Sequence, residues 1–110
     1  MKITEQQEGK TCIIALNGRL DTNTYTALEK KLGEAFENDA VHILLDLSDL
    51  MYVSSSGLRV LLMYLKRSMA EERKFILCGL RENIREIFDI SGFTSIFEIY
   101  STRGEALKKM

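Results

Sequence analysis

Three consecutive hydroxyls, Ser54-Ser55-Ser56, lead into Gly57-Leu58-Arg59 and the apolar run Val60-Leu61-Leu62-Met63-Tyr64-Leu65. A helix that starts there leaves its first backbone N–H groups without partners and turns the positive end of its dipole toward the serines. A negative group, a phosphate above all, is favoured at such a place. Serine is also a preferred N-cap, and Ser-Gly ahead of an apolar helix can be no more than a cap and a tight turn, so the residues alone leave both readings open.

Other chemistries lack their parts. A nucleophilic serine needs a base, and the only histidine, His42, stands at the N-terminal end of the apolar run before the serines and is separated from them by the length of a strand. His42 also has no Cys, His or carboxylate at metal-ligand spacing and receives no role. A small serine hydrolase is therefore disfavoured, no catalytic residue or metal site is assigned, and no cofactor is expected. Gly79 and Gly92 are isolated, so no glycine-rich loop that would cradle a nucleotide is present. Asp21, Asp46 and Asp49 lie in segments that could converge on the serines, although carboxylates near strand ends are also commonly solvated or capping.

The elements that would position these residues follow from apolar periodicity. Ile3–Gln7 and Thr11–Asn17 flank Glu8-Gly9-Lys10 and read as a β-hairpin, broken by Gly18-Arg19-Leu20-Asp21, with Asp21 or Thr22 able to cap the next helix. Tyr25, Leu28, Leu32, Ala35 and Phe36 recur at helical spacing and predict a helix over Thr24–Glu37, ended by Asn38-Asp39. The near-continuous apolar run 41–47 predicts a strand covered on both faces. Ser48–Ser56 reads as a connection and Gly57–Arg67 as a second helix with a basic end suited to the macrodipole. Lys74–Cys78 reads as another short apolar strand, closed by Gly79. Ile84, Ile87, Phe88 and Ile90 mark a third helix closed by Ser91-Gly92, Ile96–Tyr100 is a last strand, and Ser101–Leu107 begins a terminal helix.

The order β-β-α-β-α-β-α-β-α implies an α/β fold, a mixed, mainly parallel sheet of about five strands with an N-terminal hairpin and about four helices. At 110 residues, 45% hydrophobic and 28% charged, the chain is expected to be a single domain, residues 1–110, with one hydrophobic core. Fifteen basic against sixteen acidic residues, net charge −1, disfavour nucleic acid as a partner. The absence of a long apolar run points to a cytoplasmic protein without membrane insertion. Cys12 and Cys78, each among apolar neighbours, read as small buried hydrophobes. The edge strand of the hairpin could pair with another chain, but its charged and polar residues are also how edges avoid this, and a monomer is the expectation.

Gly18-Arg19-Leu20-Asp21, Asp46-Leu47-Ser48-Asp49-Leu50, Val53-Ser54-Ser55-Ser56-Gly57-Leu58-Arg59-Val60-Leu61 and Ile87-Phe88-Asp89-Ile90-Ser91-Gly92-Phe93 together resemble a STAS domain, the sulfate-transporter and anti-sigma factor antagonist fold, over nearly the whole chain. A stand-alone bacterial domain of this length looks like an anti-sigma factor antagonist. The resemblance implies a switch in which an anti-sigma factor serine kinase phosphorylates the antagonist and so releases it, and a PP2C-type phosphatase reverses the modification. The acceptor implied is Ser55, two places before Gly57, with Ser56 as the alternative and Ser54 standing where many members carry aspartate. Asp21, Thr22, Asn23, Asp46, Ser54, Ser56, Gly57 and Arg59 are then the expected surroundings of the acceptor and of the partner-binding face. STAS-like subunits that only scaffold signalling or lipid-transport complexes are the alternative within the same resemblance.

Overall fold

The computed structural model describes residues 1–38 and 42–110. Lys2–Glu8 (β1) and Thr11–Leu20 (β2) form the expected antiparallel hairpin, and Gly9 supplies the positive φ, 60°, that its two-residue turn requires. Tyr25–Phe36 (α1), His42–Val53 (β3), Ser55–Ala70 (α2), Phe75–Cys78 (β4), Glu82–Ile90 (α3), Glu98–Tyr100 (β5) and Arg103–Leu107 (α4) follow, with a 3-10 turn at Phe93–Ser95 before β5. The five strands lie in sequence order, β1-β2-β3-β4-β5, antiparallel at the first pair and parallel thereafter. The mixed sheet and the four helices are the architecture expected from the sequence. Val41 and Asp39, the expected strand start and helix stop, lie outside the described residues.

Both faces of the central strands are covered, as their unbroken apolar runs require. Ile14, Leu16, Ile43, Leu45 and Leu47 meet Leu28 and Leu32 of α1, Val60 and Leu61 of α2, and Ile84 and Phe88 of α3 in the larger core. Ile13, Leu44, Ile76 and Cys78 point the other way, against Ala106 of α4. Gly92, at φ 79°, turns the chain out of α3 in the left-handed conformation expected of it.

Two expectations are corrected. β2 is not broken at Gly18 but runs on to Leu20, and Ser48–Val53 is not a connection but the second half of β3, paired with Asn17–Leu20. The pairing slips twice: Ala15 faces Asp46 while Asn17 faces Asp49, and Gly18 faces Leu50 while Arg19 faces Tyr52. At each slip β3 carries one extra residue, a β-bulge. From Leu47 onward the buried positions are therefore Leu47, Leu50 and Val53, three apart rather than two. β4 pairs only with Ile43–Asp46, so this half of β3 has a free edge. The start of α3 occupies it: Arg81 Nε donates to the Ser48 carbonyl and Asn83 Nδ2 to the Met51 carbonyl, each at 3.0 Å.

Candidate functional site

The two-stranded extension ends where α2 begins, and Ser54 joins them. Its N–H donates to the Leu20 carbonyl at 2.9 Å, which continues the β2–β3 pairing by one bond. Its backbone is extended, φ −93° and ψ 172°, and its Oγ accepts from the Gly57 N–H at 3.3 Å while its carbonyl accepts from the Leu58 N–H at 2.9 Å. Ser54 is thus the N-cap of α2, the capping role that serine favours. The helix begins at Ser55, two residues before the expected Gly57, and ends at Ala70.

Gly57 is held by space rather than by backbone angle. A Cβ there would lie 2.7 Å from Leu20 Cγ and 3.0 Å from Val53 Cγ2, closer than carbon atoms approach without displacement. Both Leu20 and Val53 are buried. The first turn of α2 therefore rests directly on the last apolar residues of β2 and β3, and that contact fixes where the serines stand.

Ser55 is exposed and Ser56 half-buried. Among the described residues neither hydroxyl has a hydrogen-bond partner in the protein. The first turn of α2 holds no acidic residue, so the positive end of the helix is uncompensated by any carboxylate of its own. Arg59, one turn on, is exposed and forms no ion pair among the described residues.

Asp21 directly follows Leu20, whose carbonyl holds Ser54, and so stands at the same end of the sheet. Its Oδ1 accepts from the Asn23 N–H at 2.9 Å, its N–H donates to Thr24 Oγ1 at 2.8 Å, and Arg19 Nε lies 3.6 Å from Oδ2. The Asn23 N–H, followed by Thr24 and Arg19, holds the carboxyl below the usual aspartate value. These bonds shape the turn ahead of α1. The N-cap position belongs to Thr24, which makes no side-chain cap bond, so the expected capping by Asp21 or Thr22 is replaced by a preceding turn. Thr22 and Asn23 are exposed on that turn.

Asp46 is not brought to the serines. It alternates with Leu45 and Leu47 and so faces α4, where Oδ2 accepts from Arg103 Nε at 2.9 Å and Oδ1 from the Ser48 N–H at 3.0 Å and hydroxyl at 2.5 Å. Burial alone would raise its pKa, but the bonds from Ser48 and the Arg103 guanidinium outweigh it and hold the carboxyl below the ordinary value. Asp46 anchors α4 to the sheet. Asp49 lies exposed beyond the first bulge, opposite Asn17.

Arg19 lies in the Gly18–Asp21 segment expected on the partner-binding face, but sequence reasoning gives Tyr52 no role, and the two pair across the extension with the guanidinium 4.3 Å from the ring centroid. Met51 beside them is 51% exposed. The signal of Met51 and Tyr52 was hidden because Ser48–Ser56 read as a loop, whose residues have no assigned face. His42 sits at the start of β3, where its Nδ1 accepts the Lys74 N–H at 3.0 Å, and burial followed by the charges of Lys74, Lys10 and Arg73 lowers its pKa. It stands at the opposite end of β3 from the serines.

The family model of the STAS domain matches residues 2–106. The chain belongs to the STAS domain family. This STAS domain is 35% identical to BtrV of Bordetella bronchiseptica, described as a candidate anti-sigma factor antagonist, over 96% of this chain and 91% of that one. Among solved structures, an anti-sigma factor antagonist from Mycobacterium paratuberculosis superposes with a TM-score of 0.87 at 21% identity, covering 98% of this chain and 92% of that one. The Bacillus cell fate determinant SpoIIAA in its phosphorylated form superposes with a TM-score of 0.77 at 24% identity, covering 98% of both chains. At those identities the superpositions establish the fold of this STAS domain. No helix among the described residues is long and apolar enough to cross a membrane.

Proposed function

We propose that this STAS domain is an anti-sigma factor antagonist that binds an anti-sigma factor serine kinase when unphosphorylated, is released by phosphorylation of Ser55, and is restored by a PP2C-type phosphatase. It acts by binding, not by turnover. The observation that carries the reading is Ser55 itself: an exposed hydroxyl in the first turn of α2, two places before Gly57, where the family resemblance puts the acceptor. The name of the Bordetella relative supports the same role. Ser56 is the second acceptor candidate, but its hydroxyl is half-buried and less open to a kinase.

The physics of the helix start supports a switch that leaves the fold intact. A phosphoserine adds about −1.5 to −2 charge, and a helix N-terminus favours that charge. No carboxylate in the first turn of α2 opposes it. Binding is then lost at the partner's surface, where a phosphate pressed into the interface without a cation must be desolvated. The contact face comprises Ser55 and Arg59 of α2 with the exposed turn residues Thr22 and Asn23.

Phosphosite mapping by intact mass and fragment-ion spectrometry, on protein recovered from its native host, tests the reading. The expected result is a phosphoryl group on Ser55 that is absent from Ser55→Ala. Phosphate that persists on Ser56 moves the acceptor, and no phosphate under any growth condition replaces the switch with a non-switching STAS scaffold.

A further inference from the structure

The outer edge of β1 carries a charge pattern that is complementary to itself. β1 ends the sheet, spans seven residues, and pairs with β2 in an unbroken register from Lys2 opposite Asn17 to Glu8 opposite Thr11. Sheet edges are normally guarded by shortness, charged side chains, bulges, proline or a covering segment, and of these β1 relies on its charges, which guard only against a partner that does not match them. The opposite edge, β5, is three residues long. β1 has no bulge, and the chain contains no proline. Its two end charges, Lys2 and Glu8, are exposed and form no ion pair among the described residues.

We propose that two copies of the chain pair edge to edge through β1, antiparallel about a two-fold axis at Glu5, and join their sheets into one. In that register Lys2 of each copy stands directly opposite Glu8 of the other, Ile3 opposite Gln7, and Thr4 opposite Gln6. Opposite charges directly across a strand pair attract, and the two-fold axis makes the pair twice. Centring on Thr4 or Gln6 instead leaves Glu8 or Lys2 beyond the overlap, and a parallel alignment in step sets Lys2 against Lys2. Glu5 meets its own copy at the axis, but Lys31 Nζ lies 2.9 Å from its carboxylate, so the axis carries two ion pairs rather than two bare charges. One strand pair buries well under ~1,000 Å² and gives a weak, concentration-dependent dimer. The pairing uses only the strand edge and leaves the start of α2 free, so it stands independently of the proposed serine switch.

Sedimentation equilibrium of the full chain at low salt, from micromolar to near-millimolar concentration, tests this. The expected result is an average mass that climbs from the monomer toward twice that value, with amide exchange of β1 slowing as it climbs. Lys2→Glu and Glu8→Lys, each of which sets like charges opposite one another, weaken the dimer by about tenfold, and the double exchange restores it. A monomer at every concentration overturns the proposal. So does a dimer that the single exchanges leave intact, one that the double exchange fails to restore, or a β1 edge that pairs only with an extended peptide from another protein.

Discussion

Gly57 and Leu20 stand so close that a methyl group on the glycine would lie 2.7 Å from Leu20 Cγ. The contact presses the first turn of α2 onto the end of β2. The position of Ser55 is consequently set by packing between two elements far apart in the chain.

Gly57→Ala should therefore destabilise the fold although alanine is the better helix former. Overpacking against the buried Leu20 and Val53 costs about 1–3 kcal/mol, more than the ~1 kcal/mol that alanine gains within a helix. Urea unfolding followed by circular dichroism reads the difference. Equal or greater stability of the variant would show that the leucine yields without cost.

The adjacent serines should separate by mechanism. Ser54→Ala removes the cap on the Gly57 N–H and should cost about 1 kcal/mol in the same unfolding assay. Ser55→Ala removes a hydroxyl with no protein partner among the described residues and should change stability by less than ~0.5 kcal/mol. Equal losses from the two would contradict the division between structural and functional hydroxyls.

Ser55→Asp places a carboxylate in the first turn of α2, where the dipole favours it. Its circular dichroism and melting temperature should stay close to those of the unsubstituted chain while its affinity for the anti-sigma factor kinase proposed as its partner falls at least about tenfold, as a charge desolvated at an interface implies. Calorimetric titration measures the affinity. A melting temperature lowered by many degrees would place the effect in the fold instead.

Acid should loosen α4. The Asp46 carboxyl titrates below its unfolded value, so its contribution is complete above about pH 4 and is lost as the pH falls through the lowered folded value. Arg103 is partly exposed, which limits the tie to about 1 kcal/mol after solvent screening. Asp46→Asn should remove this part of the acid dependence, seen as a flatter profile of unfolding free energy below pH 5. An unchanged profile would assign the acid sensitivity to other carboxylates.

Both thiols should be inert in the folded protein. Burial pushes Cys12 up to about 11 and Cys78 up to about 12, and each is at most 1% exposed. Neither should react with a disulfide reagent at pH 8 until denaturant unfolds the chain, when both should react. Fast labelling of either thiol under native conditions would mean that its strand opens readily.

Much of the scaffold was legible because its signals are local. Leu28, Leu32, Ala35 and Phe36 repeat at the helical period and are buried in α1, and Gly92 stands where a left-handed turn ends α3. The second half of β3 was not legible, since its two bulges space the buried Leu47, Leu50 and Val53 three apart and erase the alternation by which a strand is recognised. Asn17, Gly18 and Arg19 look like a strand break for a related reason: this part of β2 has solvent on one face, so polar residues and glycine are tolerated there.

The serines followed by Gly57 and an apolar run placed a capped helix start and an exposed hydroxyl in the sequence itself, because capping and helix polarity act over one turn. Which carboxylates accompany that hydroxyl was a tertiary decision. Asp21 and Asp46 look alike in sequence, each in a short motif near a strand end. The Leu20 carbonyl brings Asp21's segment to Ser54, while the pleat of β3 turns Asp46 to the other face and Arg103, 57 residues further on, holds it there. In a strand buried on both faces every neighbour is apolar, so the sequence carries no mark of which way an aspartate points; only the helices packed on each face decide it.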